Sequence, residues 1–218
     1  MSNANGKYIL GVESGLAGGS VAIFSEEKCI DSRAGEKTLS RSEDLLVLIE
    51  EILAENDLQK RELASIIVSD GPGSITGVRI GLATARGLSD ALAIPARRFS
   101  VLDALAVSSG RRMDLTAAVF GEKSGLHVRD YKCVDGMLSP SGAIFHERDV
   151  NGFLARLDSA AESKQNFVVH EDLEFLSKRG LNKSLKGNSY IDVVCGHYAS
   201  LLATSGTSSA TPGKHSPL

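Results

Sequence analysis

Cysteine is scarce and scattered in this sequence: Cys29, Cys133 and Cys195 are the only three. No C-x-x-C pair occurs, so neither a thiol redox motif nor a four-cysteine zinc site can be assembled from neighbours, and free thiols in a cytoplasmic protein are expected. The histidines, His127, His146, His170, His197 and His215, are equally dispersed. None stands three or four residues from another, so no helix presents an imidazole pair, and no metal site is expected in this chain. No run approaches the roughly 18 apolar residues that a membrane span needs. The opening stretch MSNANGKYILGV lacks the basic and apolar regions of a secretory leader, so no membrane role is expected. Positive charge is not in excess either, with 24 Lys and Arg against 27 Asp and Glu. That balance argues against a surface built mainly to neutralise phosphates, and the pairs Arg97-Arg98 and Arg111-Arg112 read as solvated loop ends.

The standard phosphate and nucleophile signatures are missing as well. Nothing matches G-x-x-x-x-G-K-[ST], a G-x-G-x-x-G with its later acidic partner, or the G-x-S-x-G elbow. What remains is an ordinary globular composition, 42% apolar and 23% charged over 218 residues, enough to bury the core of one domain or of two small lobes.

The pattern of that apolar content is informative. Tyr8–Val12, Ser20–Phe24 and Lys28–Ala34 read as three successive strands separated by Gly-rich and charged turns. Ser40 and Glu43 have capping-box spacing, and Leu45, Leu46, Leu48, Ile49, Ile52 and Leu53 follow at helical period, predicting a helix from about 42 to 56. The short apolar run ASIIVSD predicts a strand covered on both faces, followed by a helix from 75 to 92, a strand in PARRFS and a helix from 101 to 108. From LTAAVFG onward the alternation begins again, with strands in LTAAVFG, GLHVRDYKCV and NFVVH and helices near 150–157, 173–177 and 190–202. The order points to two α/β lobes of related topology, residues 1–110 and 111–203, the second a shortened and divergent echo of the first. Residues 204–218, TSGTSSATPGKHSPL, are Ser/Thr/Gly/Pro-rich and predict a disordered tail.

Two stretches carry candidate function. In SDGPGSITGVRIGLATARGL, Gly77, Gly81 and Ala85 recur every four residues, forming a ridge of almost no side chain along the second helix. Glycine inside a helix costs about 0.5–1 kcal/mol relative to alanine, so the ridge needs a compensating close contact, either with the first helix or with another subunit. Ser74 or Thr76 is placed to cap that helix. In GVESGLAGGSVAIF, a strand, a small-residue turn and a return strand place Glu13, Ser14 and Gly15 at a hairpin. Its outline resembles the phosphate-wrapping hairpin of actin-like and sugar-kinase-like ATPases, with Glu13 where those proteins carry aspartate. A stand-alone ATPase or small-molecule kinase of that class is therefore the competing reading.

Taken as a whole, SDGPGSITGVRIGLATARGLSDALAIP, with SRSEDLLVLIEEIL before it and SVLDALA after it, resembles the TsaB (YeaZ-like) family of the tRNA threonylcarbamoyladenosine pathway. The resemblance spans about the first half of the chain. It implies an actin-like (ASKHA, ribonuclease H-like) fold and a non-catalytic role beside a TsaD-type transferase. In that catalytic relative the helix corresponding to SVLDALA bears two metal-binding histidines, and Val101 and Leu105 stand at those places here. The resemblance also implies a TsaE-type ATPase as third component, a homodimer as an alternative assembly, tRNA contact only through the complex, and ATP and metal held on the partner subunits rather than by this chain. A cytoplasmic protein is expected. Its partner interface would comprise Leu45, Leu46, Ile49, Gly77, Ile80, Gly81 and Thr84, flanked by Arg79 and Arg86, the glycines making room for the partner's helix. On that expectation Gly81→Arg blocks association and leaves the fold intact. The chain departs from the family at Arg41, where a histidine is common, and at VFGEK, where the second lobe often opens on Asp-Ala-Arg.

Overall fold

The computed structural model describes residues 6–16, 18–25, 28–35, 45–121, 125–148, 152, 166–170 and 189–190. The chain divides into two compact units between Ser100 and Val101.

In the first unit, β1 (Tyr8–Glu13), β2 (Ser20–Ser25) and β3 (Lys28–Ala34) form an antiparallel meander, and β4 (Leu63–Ser69) and β5 (Ala96–Phe99) extend it in parallel on the other side of β1. The sheet order is β3-β2-β1-β4-β5. Each strand's composition suits its place. The central strands β1, β2 and β4 hold nearly continuous buried apolar runs, whereas β3 alternates exposed and half-buried residues, as an edge strand does. Parallel neighbours need long connections, and α1 (Leu45–Glu55) and α2 (Ile75–Leu92) supply them. Both helices cover one face of the sheet: Leu45, Ile49, Ile52 and Leu53 of α1 and Ala85 of α2 share a core with Leu10, Val12, Val21, Ile23, Ile66 and Val68. The helices therefore lie side by side, α1 over β2 and β3, α2 over β4, β1 and β5.

The second unit opens with α3 (Val101–Ser108), followed by β6 (Leu115–Gly121), β7 (Gly125–Val134), β8 (Met137–Pro140), β9 (Phe145–Glu147), β10 (Asn166–His170) and β11 (Ser189–Tyr190). The order is β11-β10-β6-β7-β8, with β9 also on β7. The pairings β6–β7 and β7–β8 are antiparallel, while β6–β10 and β10–β11 are parallel. Strand for strand this repeats the first sheet, with β6, β7, β8, β10 and β11 standing for β1, β2, β3, β4 and β5. The second lobe is an echo of the first in topology, whatever its sequence has lost.

The break falls before α3, not at 110/111, because α3 packs on the second sheet. Its Asp103 Oδ1 accepts hydrogen bonds from Tyr131 Oη at 2.6 Å and Arg129 Nη1 at 3.1 Å on β7. Arg97 and Arg98 lie in β5 and not in a loop, and Tyr190 belongs to β11 where a helix was expected. The capping box at Ser40 and Glu43, the helices near 150–157, 173–177 and beyond 190, and the tail fall outside the described residues.

Candidate functional site

The hairpin after β1 and the amino terminus of α2 meet at the carboxyl ends of β1 and β4. Glu13, the last residue of β1, is buried there. Its carboxylate accepts from the backbone N–H of Gly15 at 2.7 Å and of Leu16 at 3.1 Å, and a side-chain hydrogen bond joins it to Ser69 at the end of β4. Burial outweighs these bonds and pushes the Glu13 pKa up to about 7. Ser14 Oγ donates to the carbonyl of Gly77 at 2.8 Å, and the Ser74 N–H donates to the carbonyl of Gly15 at 2.7 Å. Ser74 also caps α2, its Oγ accepting from the Gly77 N–H at 3.4 Å.

These bonds draw the two segments so close that side chains have no room. A Cβ on Gly73 would lie 2.5 Å from the Gly15 carbonyl oxygen, one on Gly77 would lie 1.9 Å from the Ser14 carbonyl oxygen, and one on Gly81 would lie 2.2 Å from Ser14 Oγ. The glycine ridge is thus explained within the chain: its close neighbour is the backbone of the chain's own hairpin.

This corrects four of the nine expected interface residues. Gly77 and Gly81 are buried against Ser14, and Leu45 and Ile49 are buried in the core beneath α1, because the inner stripe of an amphipathic helix serves its own sheet first. None of the four is available to a partner. Gly81→Arg would disrupt the lobe itself. Of the remaining expected residues, Leu46, Arg79 and Arg86 are exposed and Ile80 and Thr84 are half-buried. Arg86 pairs with Asp90 one turn on, at 2.9 Å. Sequence reasoning missed Val47 and Ile75, both exposed; an apolar residue just off the helical stripe is the signal that would have found them. Leu46 and Val47 are each 53% exposed and Ile75 is 71% exposed. These three apolar side chains face outward from the first turns of α1 and α2, and Arg79 follows Ile75 by one turn.

Val101 and Leu105, at the places the resemblance assigns to metal-binding histidines in the catalytic relative, are fully buried in the core of the second unit and offer no ligand atom. Among the described residues no group of three or more His, Cys, Asp or Glu side chains converges.

A family model for TsaD, tRNA N6-adenosine threonylcarbamoyltransferase, matches residues 38–126. The tRNA threonylcarbamoyladenosine biosynthesis protein TsaB of Bacillus subtilis is 31% identical over 120 residues, covering 54% of this chain and 52% of the relative. The protein of the same name from Buchnera aphidicola of Acyrthosiphon pisum is 32% identical over 126 residues, covering 56% and 57%. Over these stretches the chain is similar to TsaB proteins. It spans about half the length of the curated TsaB relatives that it matches. The solved structure of YeaZ from Pseudomonas aeruginosa superposes with a TM-score of 0.66 at 17% identity, covering 92% of this chain and 93% of that one. A ROK family protein from Streptococcus pneumoniae follows at a TM-score of 0.50 and 12% identity, covering 91% and 99%. The fold of this chain is accordingly the two-unit α/β fold shared with these two structures.

Proposed function

We propose that this chain is a non-catalytic subunit of the threonylcarbamoyladenosine machinery, one that pairs with a TsaD-type transferase and supports threonylcarbamoyl transfer to adenosine in tRNA. The observation that carries the reading is the exposure of Leu46 and Val47 on α1 and of Ile75 and Arg79 on α2. On α2 the exposed Ile75 and Arg79 stand one turn apart, an apolar side chain beside a guanidinium that suits a partner helix bearing a carboxylate. The two lobes would be built around residues 1–100 and 101–193. A TsaE-type ATPase would join the pair, ATP and metal would reside on the partners, and tRNA would be met only through the assembly. Self-association through the same surface would give the homodimer when the transferase is absent. No helix among the described residues is long and apolar enough to cross a membrane, and a cytoplasmic setting fits the pathway.

Size-exclusion chromatography with light scattering, on the full chain mixed with the TsaD-type protein of the same organism, tests this directly. A species at the summed mass is expected, and Leu46→Asp should remove it while leaving the denaturation midpoint unchanged. A full-strength complex in Leu46→Asp would place the interface elsewhere. No complex with wild type, together with thermal stabilisation by ATP, would favour the ATPase reading.

A further inference from the structure

β7 and β9 bring together two histidines that are remote in sequence. His127 and His146 are direct partners across the antiparallel pair, with ring centroids 4.9 Å apart and planes inclined by 37°. His127 is half-buried and His146 exposed. Burial, reinforced by the neighbouring His146, holds the His127 pKa below its ordinary value. β9 is only three residues long and meets β7 at three positions, the central one being this histidine pair.

From this geometry we propose that His127 and His146 form a two-imidazole site for a divalent late-transition ion, Zn²⁺ or Ni²⁺, with water completing the coordination. Residues directly opposite on paired strands have Cβ atoms about 4.5–5.5 Å apart, so rotation of the rings can bring one nitrogen of each onto a common ion at Zn–N distances of about 2.0–2.1 Å. Neutral imidazole suits zinc and nickel, whereas magnesium and calcium demand a set of oxygen ligands that this pair does not provide. The neighbouring guanidinium of Arg129 is directed elsewhere, to Asp103 and to the Gly142 carbonyl. A bound ion would pin β9 to the sheet at its midpoint.

Isothermal titration of the full chain with zinc chloride, and separately with nickel chloride, at neutral pH provides the test. Wild type should take up an ion at this site, and both His146→Ala and His127→Ala should weaken it by about tenfold or more, the loss of at least 1.4 kcal/mol of binding free energy. His146 is exposed, so its variant is decisive even if His127→Ala fails to fold. Hydrogen exchange should show the ion slowing the amides of 145–147 in wild type and not in His146→Ala. Wild-type affinity in His146→Ala, or no ion taken up by wild type, would overturn the site.

Discussion

Glu13 provides the sharpest test of the hairpin geometry. Its carboxyl is buried, accepts two backbone N–H bonds, and has its pKa raised from 4.5 to about 7 because desolvation dominates. A carboxyl whose folded-state pKa is raised binds its proton more tightly in the native state than in the unfolded chain. Its contribution to stability is therefore full below the unfolded value and is lost as pH rises through the folded one. Between about pH 5 and pH 8 that loss amounts to about 2–3 kcal/mol, taking 1.36 kcal/mol per pKa unit. Glu13→Gln keeps the shape and a carbonyl acceptor for Gly15 and Leu16 but cannot ionise. Urea denaturation of both proteins across this range isolates the effect, because every other titrating group cancels in the difference, including His127, whose lowered pKa gives the opposite slope. Wild type should lose stability relative to Glu13→Gln as pH rises. Parallel profiles would refute the burial argument, and a wild type that gained on the variant would show that the N–H bonds to the carboxylate outweigh desolvation.

The inner and outer sides of α2 should respond oppositely to the same substitution. Gly77→Ala places a methyl against the Ser14 carbonyl and should cost more than about 2 kcal/mol of unfolding free energy. At Gly87 a Cβ meets nothing within 4 Å, so Gly87→Ala should stabilise by about 0.5–1 kcal/mol in the same assay. In the second unit, Asp103→Ala leaves the Tyr131 hydroxyl and the Arg129 guanidinium without their shared acceptor, and should destabilise by about 1–3 kcal/mol in chemical denaturation.

The first lobe was legible because its elements are long and strongly patterned. The strands β1, β2 and β3, and the helices α2 and α3, stand where apolar periodicity and Gly/Pro punctuation put them. The spacing of Gly77, Gly81 and Ala85 announced a close contact, yet a small-residue ridge says only that something approaches, and not from which side. The hairpin residue that approaches, Ser14, lies 63 positions earlier, and nothing local marks it as the neighbour. Leu45 and Ile49 were misassigned for a related reason: the periodic stripe identifies a buried face, and an outward apolar surface is written in residues that break the stripe, such as Val47. β8 and β9 were missed because MLSP and FHE are short, mostly exposed and without alternation. The facing of His127 and His146 depends wholly on that strand register.

The contrast between the two sides of α2 bears on how such a chain can change over generations. Positions 73, 77 and 81 admit only glycine while the hairpin keeps its place, so that side of the helix is frozen by the fold. The opposite side, from Ile75 through Arg79 and Ala83 to Gly87, is solvent-facing and answers to no internal neighbour at its far end. Substitutions on that side escape the internal clash that fixes positions 73, 77 and 81, so one helix is held to two standards, the fold on one side and the solvent on the other.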